Sequence, residues 1–345
     1  MDTLTHAFSA ALLARATAGR DPASPDRLSV GTRVMVAALA AMAPDLDFVV
    51  WFFSPQRYLV DHRGWTHSLI LLPLWAALLA WVFRGVWRGR YTFRAFFPVV
   101  AMAIGAHILA DILTAYGTQI FAPFTDLRVS IPTTFIIDLG FTGILVLGLL
   151  GSALWRRSAA PALIALVVLG AYVGFEAGLR QDAELWGAAW ARMQQWEPAE
   201  VAVVPQPLSP FNWLVVVDRG YDYHIAYVRL DRKQPASVAP GASWWQQLGA
   251  AYAPPATPQW QTVKRYQGNA KQRAFERRAW RASAFGPYRD FSLLPVAGLP
   301  RRTPTGSCVR FSDLRFRLPV PRAHTLHYGL CRMNGRWEVP ARAPS

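Results

Sequence analysis

The stretch DHRGWTHSLILLPLWAALLAWVF, residues 61–83, joins two titratable side chains to a long apolar run. His62 and His67 lie at its start, and no Asp, Glu, Lys or Arg occurs in residues 67–83. The run approaches the ~20 residues that an α-helix needs to cross a hydrocarbon core. The stretch therefore predicts a membrane-spanning helix with two potential metal ligands at one end.

The rest of the chain supports a membrane protein. Of its 345 residues, 53% are hydrophobic and 15 are Trp, which exceeds the usual content of soluble domains. The predicted spans are 34–53, 67–83, 95–113, 135–155 and 159–175, and residues 4–18 form a weaker segment that is a short span or an interfacial helix. No basic segment precedes residues 4–18 and no cleavage site follows cleanly, so we expect residues 1–20 to remain in the mature protein.

The arginines between the spans indicate an orientation. They are dense in the first, third and fifth connections (Arg15, Arg20, Arg27 and Arg33; Arg84, Arg88, Arg90 and Arg94; Arg156 and Arg157) and sparse in the second and fourth (Arg57 and Arg63; Arg128). The positive-inside rule then places residues 54–66 and 114–134 outside. Because this pattern accounts for much of the formal charge of +15, it disfavours nucleic acid as a partner and favours the bilayer.

The sequence changes character after residue 180, where it becomes polar and rich in proline. Alternating stretches at 212–218, 224–230, 308–316 and 324–331 predict β-strands. We therefore expect a membrane-embedded helical bundle at 1–178 and an extracytoplasmic β-rich or α+β domain at 179–345. Cys308 and Cys331 either pair there or remain unpaired strand residues. His224, His324 and His327 resemble ordinary strand or surface histidines.

Ionisable side chains recur within or beside the apolar segments, where each costs about 2.5–3.5 kcal/mol. These residues are His6, Asp45, Asp47, His62, His67, His107, Asp111 and Asp138. A spacing of four puts His107 and Asp111 on one helical face. The arginine-derived topology places the whole set toward the outer side, so it predicts one common site.

Three uses of such a set are possible. Single residues can hydrogen-bond neighbouring helices, and buried Asp and His also serve ion or proton translocation. A metal site is favoured, because imidazole suits zinc and carboxylates accept harder ions such as manganese.

Four polar motifs also resemble a known family. Residues 1–6, 44–47, 62–68 and 107–117 have the order and approximate spacing of the YdjM-like family of LexA-regulated, membrane-bound, predicted metal-dependent hydrolases. The resemblance covers residues 1 to about 175 and leaves the C-terminal portion outside. It implies an integral membrane helical bundle, a His/Asp metal centre and hydrolytic activity, with a more remote similarity to zinc-dependent phospholipase C and P1-type nucleases.

The resulting prediction is a multi-pass hydrolase of the bacterial inner membrane, with its site facing outward, that acts on an ester or phosphoester of a lipid or envelope molecule. Asp47, Arg63 and Asp138 are candidate catalytic residues, with Arg63 suited to a phosphate oxygen. The alternative is a transporter or metal-handling membrane protein that uses the same cluster without hydrolysis. The predicted ligands, enough for about one or two ions, are His6, Asp45, Asp47, His62, His67, His107 and Asp111.

Overall fold

The computed structural model describes residues 1–19, 24–196, 199–304, 306–320 and 326–340. Arg20 and His324, which enter the predictions above, lie outside the described residues. The chain divides into two compact units, the first made of Met1–Asp47 and Arg63–Gly178 and the second of Phe48–His62 and Leu179–Ser345. Residues 48–62, assigned above to the membrane domain, thus group with the second unit. The division into domains at 178 and 179 stays a prediction.

Helices dominate the chain up to residue 193. In order they are α1 (Thr3–Ala16), α2 (Val30–Met42), a 3₁₀ turn (Pro44–Phe48), α3 (Val49–Phe53), α4 (Pro55–Asp61), a 3₁₀ turn (Trp65–His67), α5 (Leu72–Val86), α6 (Phe93–Ile112), α7 (Leu139–Leu154) and α8 (Ala160–Met193). Side-chain oxygens of Asp2, Ser29 and Asp138 accept backbone N–H groups at the starts of α1, α2 and α7. These caps satisfy donors that a helix leaves unpaired at its first turn.

The structure contains candidate membrane-spanning helices, as the sequence predicts. Among the described residues, the segments Val30–Phe53, Phe93–Ile112 and Ala160–Met193 are long and apolar enough to cross a membrane. A fourth results if Pro55–His67 and Leu72–Val86, bent by 81°, count as one span, and α7 is a shorter apolar helix. This chain therefore carries three to four candidate spans, and the count of about five stays a prediction.

Small residues bring the helices of the first unit close together. Ala37, Ala41 and Ala103 are fully buried in the cluster formed by α1, α2, α5 and α6. On α7, a Cβ added at Gly148 would meet the Cβ of Ala165 on α8 at 2.4 Å. Because small residues let helix backbones approach in membranes, this packing holds the elements that carry the polar residues in fixed positions.

The second unit contains two antiparallel sheets. The four-stranded sheet has the order β1 (Glu200–Pro205), β2 (Asn212–Asp218), β3 (Asp222–Arg229) and β4 (Gln261–Lys264). The other contains β5 (Pro295–Ala297), β6 (Arg301–Thr303), β7 (Gly306–Asp313), β8 (His327–Met333) and β9 (Arg336–Glu338), in the order β5-β7-β8-β9 with β6 also paired to β7. The predicted β-rich C-terminal region is thus confirmed. Residues 314–316, predicted as strand, instead form a 3₁₀ turn after β7.

Helices α9 (Trp244–Ala250), α10 (Ala270–Arg281) and α11 (Gly286–Phe291) complete the second unit. Trp213, Val215 and Ala226 of the first sheet pack with Leu179 and Ala183 of α8. Cys308 and Cys331 are directly opposed on β7 and β8 and form a disulfide, which decides between the two alternatives left open for them.

Candidate metal centre

The site begins on α6, where His107 and Asp111 are one helical turn apart and both almost fully buried. Their spacing of four directs both side chains to the same face, as the sequence predicted. The 3₁₀ turn after α2 contributes Asp45, and the second 3₁₀ turn ends at His67. Three separate stretches of the motif pattern thus contribute to one place in the first unit.

One ligand atom from each of Asp45, His67, His107 and Asp111 lies within 4.8 Å of the other three. Asp111 Oδ2 is 3.3 Å from Nε2 of both His67 and His107. Asp45 Oδ1 is 3.5 Å and 3.6 Å from the same two nitrogens. A tetrahedral zinc site with bonds of ~2.0–2.1 Å separates its ligand atoms by ~3.3–3.4 Å. The measured separations therefore suit a small divalent ion.

Unsatisfied atoms give an independent test of this fit. Within the described part of the chain, His107 Nε2 and Asp111 Oδ2 are buried and have no hydrogen-bond partner. The other ring nitrogen of His107, Nδ1, lies 2.7 Å from the carbonyl oxygen of Ala41 and must donate to it. This bond leaves the Nε2 lone pair directed at the cluster, which is the arrangement of a metal-binding histidine.

His67 has a comparable orientation through Thr66. The Thr66 hydroxyl donates to Asp47 Oδ2 over 3.3 Å and lies 2.9 Å from His67 Nδ1. With that hydroxyl proton engaged, His67 Nδ1 donates to Thr66 Oγ1, and its Nε2 faces Asp45 Oδ1 and Asp111 Oδ2. Asp47 thus acts on the cluster through Thr66 and also accepts the backbone N–H of Arg63 over 3.4 Å.

Three nitrogen donors hold the second oxygen of Asp111, and one of them, the Arg63 guanidinium, is a permanent cation. Its Oδ1 accepts from Arg63 Nη2 over 2.8 Å, from His6 Nε2 over 3.1 Å and from the α-amino group of Met1. Arg63 is itself buried, and its Nη1 donates to Thr114 Oγ1 over 2.6 Å. Asp111 therefore divides its two oxygens between these nitrogen donors and the candidate metal position.

Some predicted residues lie beside the group and others apart from it. The His6 ring stacks on His107 with a centroid separation of 3.6 Å. His62 belongs to the second unit, where its ring stacks on Tyr58. Asp138 caps α7 and accepts from the Tyr172 hydroxyl over 2.9 Å. Neither His62 nor Asp138 is among the four residues of the group.

Two polar residues of the first unit escaped the sequence analysis. Thr3 donates to Asp45 Oδ2 over 3.1 Å; it lies within the motif at residues 1–6, but the sequence analysis gave it no role. Glu176 is buried in α8 and accepts from Thr134 Oγ1 over 2.6 Å. The sequence feature that could have revealed Glu176 is a carboxylate beside an apolar run. It was missed because the predicted span, 159–175, ended one residue earlier.

Comparison with known proteins decides the family. The family model described as YdjM inner membrane protein matches residues 1–183, which contain the whole candidate metal centre. The chain belongs to the YdjM inner membrane protein family. The resemblance inferred from the four motifs is therefore confirmed, and the YdjM match supports an inner membrane protein. The remote similarity to phospholipase C and P1-type nucleases stays a prediction.

A curated relative of this YdjM family member is the uncharacterized protein YfhP of Bacillus subtilis (strain 168). The two are 28% identical over 176 residues, which cover 51% of this chain and 52% of YfhP. The chain thus spans about half the length of the curated relative it matches. No solved structure matches the chain.

Proposed function

We propose that this protein is a membrane-bound metal-dependent hydrolase of esters or phosphoesters. The observation that carries the proposal is the convergence of Asp45, His67, His107 and Asp111. Within the described residues, the buried atoms His107 Nε2 and Asp111 Oδ2 of this group have no hydrogen-bond partner. His67 and Asp111 have fully buried side chains, whereas those of Asp45 and Asp47 are 15% and 14% exposed. The cluster is therefore open on its carboxylate edge, where a substrate can reach it.

The donor set supports zinc, with manganese as the second choice. His67, His107 and Asp111 supply the three buried ligands typical of catalytic zinc sites, and Asp45 stands at the accessible edge. A bound divalent ion would polarise the ester and lower the pKa of a water molecule toward neutrality. The single compact group supports one ion more directly than two.

The residues around the metal-binding group have different roles in the proposed hydrolysis. Arg63 and Thr114 hold Asp111, so Arg63 is a positioning residue whose guanidinium faces Asp111. Asp47 lies at the open edge, 4.0 Å from His67 Nδ1, where its carboxylate can accept a proton from an attacking water. An apolar helical environment supports a lipid or envelope molecule as substrate.

The test compares His107→Ala with His224→Ala. His224 is a matched control because it stacks on Trp196 in the second unit and lies outside the cluster. We expect elemental analysis to find zinc or manganese in the detergent-purified wild type and in His224→Ala. His107→Ala should lose the ion and any hydrolysis of p-nitrophenyl acetate, p-nitrophenyl phosphate and bis-p-nitrophenyl phosphate.

Two results would count against the proposal. Equal metal content in all three proteins would remove His107 from the site. A metal-loaded wild type that hydrolyses none of a broad ester and phosphoester panel would favour the alternative of a metal-handling protein or transporter.

We further propose that residues 179–345 lie outside the cytoplasm. The arginine distribution supports this orientation, and so does the Cys308–Cys331 disulfide, because disulfides persist in oxidising compartments. A C-terminal alkaline phosphatase fusion should be active and a C-terminal green fluorescent protein fusion dark. Fusions ending after Gly89, in the arginine-rich connection, should behave in the opposite way, and a reversed pattern would refute the orientation.

A further inference from the structure

A separate cavity of about 260 Å³ lies in the second unit. Its walls come from β4, β5, β7, β8 and the turn that follows β7. Residues that line it include Val263, Gln267, Arg310, Ser312, Arg317 and His327. This volume is below the ~300–1,000 Å³ of pockets for drug-sized ligands, so it suits a small chemical group.

Strand register explains why three polar side chains share the cavity wall. Ser312 on β7 is directly opposite His327 on β8, and Arg310 lies two residues before Ser312. Because side chains alternate along a strand, Arg310, Ser312 and His327 lie on one face of the sheet. The intervening Phe311 lies on the other face, where it packs against Trp280 and Phe285.

Glycines flank Arg310 on both neighbouring strands. Gly329 of β8 is its cross-strand partner, and Gly298, just after β5, donates its N–H to the Arg310 carbonyl oxygen. Neither residue has a side chain to cover the guanidinium. Arg310 thus keeps space on the cavity face that a larger neighbour would fill.

The cavity also has an excess of positive charge. Among the described residues, neither Arg310 nor Arg317 forms a salt bridge with a carboxylate. Asp313 is the acidic residue on the described lining, and it is buried and bound to Arg315 over 2.9 Å. Its oxygens also accept from Ser292 and from the N–H groups of Leu293 and Leu294. Asp313 is therefore not available to neutralise the two arginines.

We propose that this cavity binds the phosphate group of a ligand. Each guanidinium offers five N–H donors in a planar fork, and forks of this kind bind phosphate oxygens in pairs. Ser312 adds a hydroxyl donor at the same wall, which His327 also lines. Together these side chains offer more N–H and O–H donors than one carboxylate can accept. The three terminal oxygens of a phosphate can accept this number of hydrogen bonds. The inference is independent of the proposed hydrolysis, because it uses none of the residues of the metal centre.

The test uses the full-length protein in a phosphate-free, non-ionic detergent. Calorimetric titration with inorganic phosphate at constant ionic strength should give saturable binding, and sodium acetate should bind more weakly. Arg310→Gln and Arg317→Gln should each weaken phosphate binding by about 10–100-fold, the range for a lost charge-assisted hydrogen bond. Arg302→Gln is the matched control, because Arg302 is exposed on β6 of the same sheet.

Two further arms identify the site and the source of the phosphate. His107→Ala should keep full phosphate binding, which separates this cavity from the metal centre. Tighter binding of monomeric dihexanoyl phosphatidic acid than of inorganic phosphate would identify a lipid headgroup, and equal or weaker binding a free phosphate.

Any of three results would overturn the proposal. Neither inorganic phosphate nor dihexanoyl phosphatidic acid binds saturably, or the wild type, Arg310→Gln and Arg317→Gln bind phosphate with equal affinity. The third is that acetate binds as tightly as phosphate. Arg317 follows the 3₁₀ turn and not the strand. Arg317→Gln thus still tests the cavity if Arg310→Gln does not fold.

Discussion

Asp111→Asn should lose the bound metal and destabilise the first unit by about 3–5 kcal/mol, the range for removing one partner of a buried ion pair. The amide keeps the size of the carboxylate but carries no charge. The Arg63 guanidinium would then remain buried without its counter-ion. The metal position would also lose Asp111 Oδ2, which lies 3.3 Å from both histidine nitrogens.

The measurements are elemental analysis and thermal unfolding followed by tryptophan fluorescence. Asp126→Asn is the matched control, because Asp126 is an exposed acid of the same unit. We expect the control to match the wild type in metal content and in unfolding midpoint. Unchanged values in Asp111→Asn would exclude Asp111 both as a ligand and as the centre of the buried charge network.

Arg63→Gln should weaken metal binding by about 10–100-fold, because partners that orient a metal ligand typically contribute this much. Arg63 touches Asp111 twice, through Nη2 to the carboxylate and through Nη1, 3.3 Å from the Asp111 carbonyl oxygen. Without the guanidinium, Asp111 could rotate away from the two histidines. Arg63→Lys keeps the charge but loses the planar fork, so its affinity should fall between those of the wild type and Arg63→Gln.

Competition with a calibrated chelator measures the affinity directly and does not depend on activity. Arg57→Gln is the control, because Arg57 forms a solvent-exposed ion pair with Asp61, and such pairs contribute little to stability. Equal metal affinity in Arg63→Gln and Arg57→Gln would show that Arg63 has no positioning role. A full loss in Arg63→Lys would instead show that the fork, and not the charge, is decisive.

The sequence allowed the α6 half of the centre to be predicted. A regular helix fixes the direction of side chains four residues apart, so the pairing of His107 and Asp111 follows from spacing alone. The inclusion of Asp45 followed from a different argument, the cost of placing carboxylates in an apolar segment. Both arguments depend on local geometry or on solvation, which sequence reveals.

These arguments could not predict that His67 belongs to the metal-binding group and His62 does not. α4 ends at Asp61, and Arg63 then adopts a φ of 60° before the 3₁₀ turn that ends at His67. An irregular connection of this kind has no periodicity from which a side-chain direction can be predicted. The phosphate cavity was hidden for a related reason, because its wall depends on the pairing of β7 with β8 and not on a motif.

Helix α7 has a consequence for the membrane around it. Its 16 residues extend ~24 Å at ~1.5 Å per residue, compared with a hydrocarbon core of ~30 Å. If α7 crosses the bilayer, as the sequence predicts, the surrounding membrane must thin by ~6 Å or admit polar groups at the helix ends. Asp138 and Arg156 stand at those ends. We therefore predict that, through hydrophobic mismatch at α7, the stability of this protein depends on bilayer thickness and so on acyl-chain length.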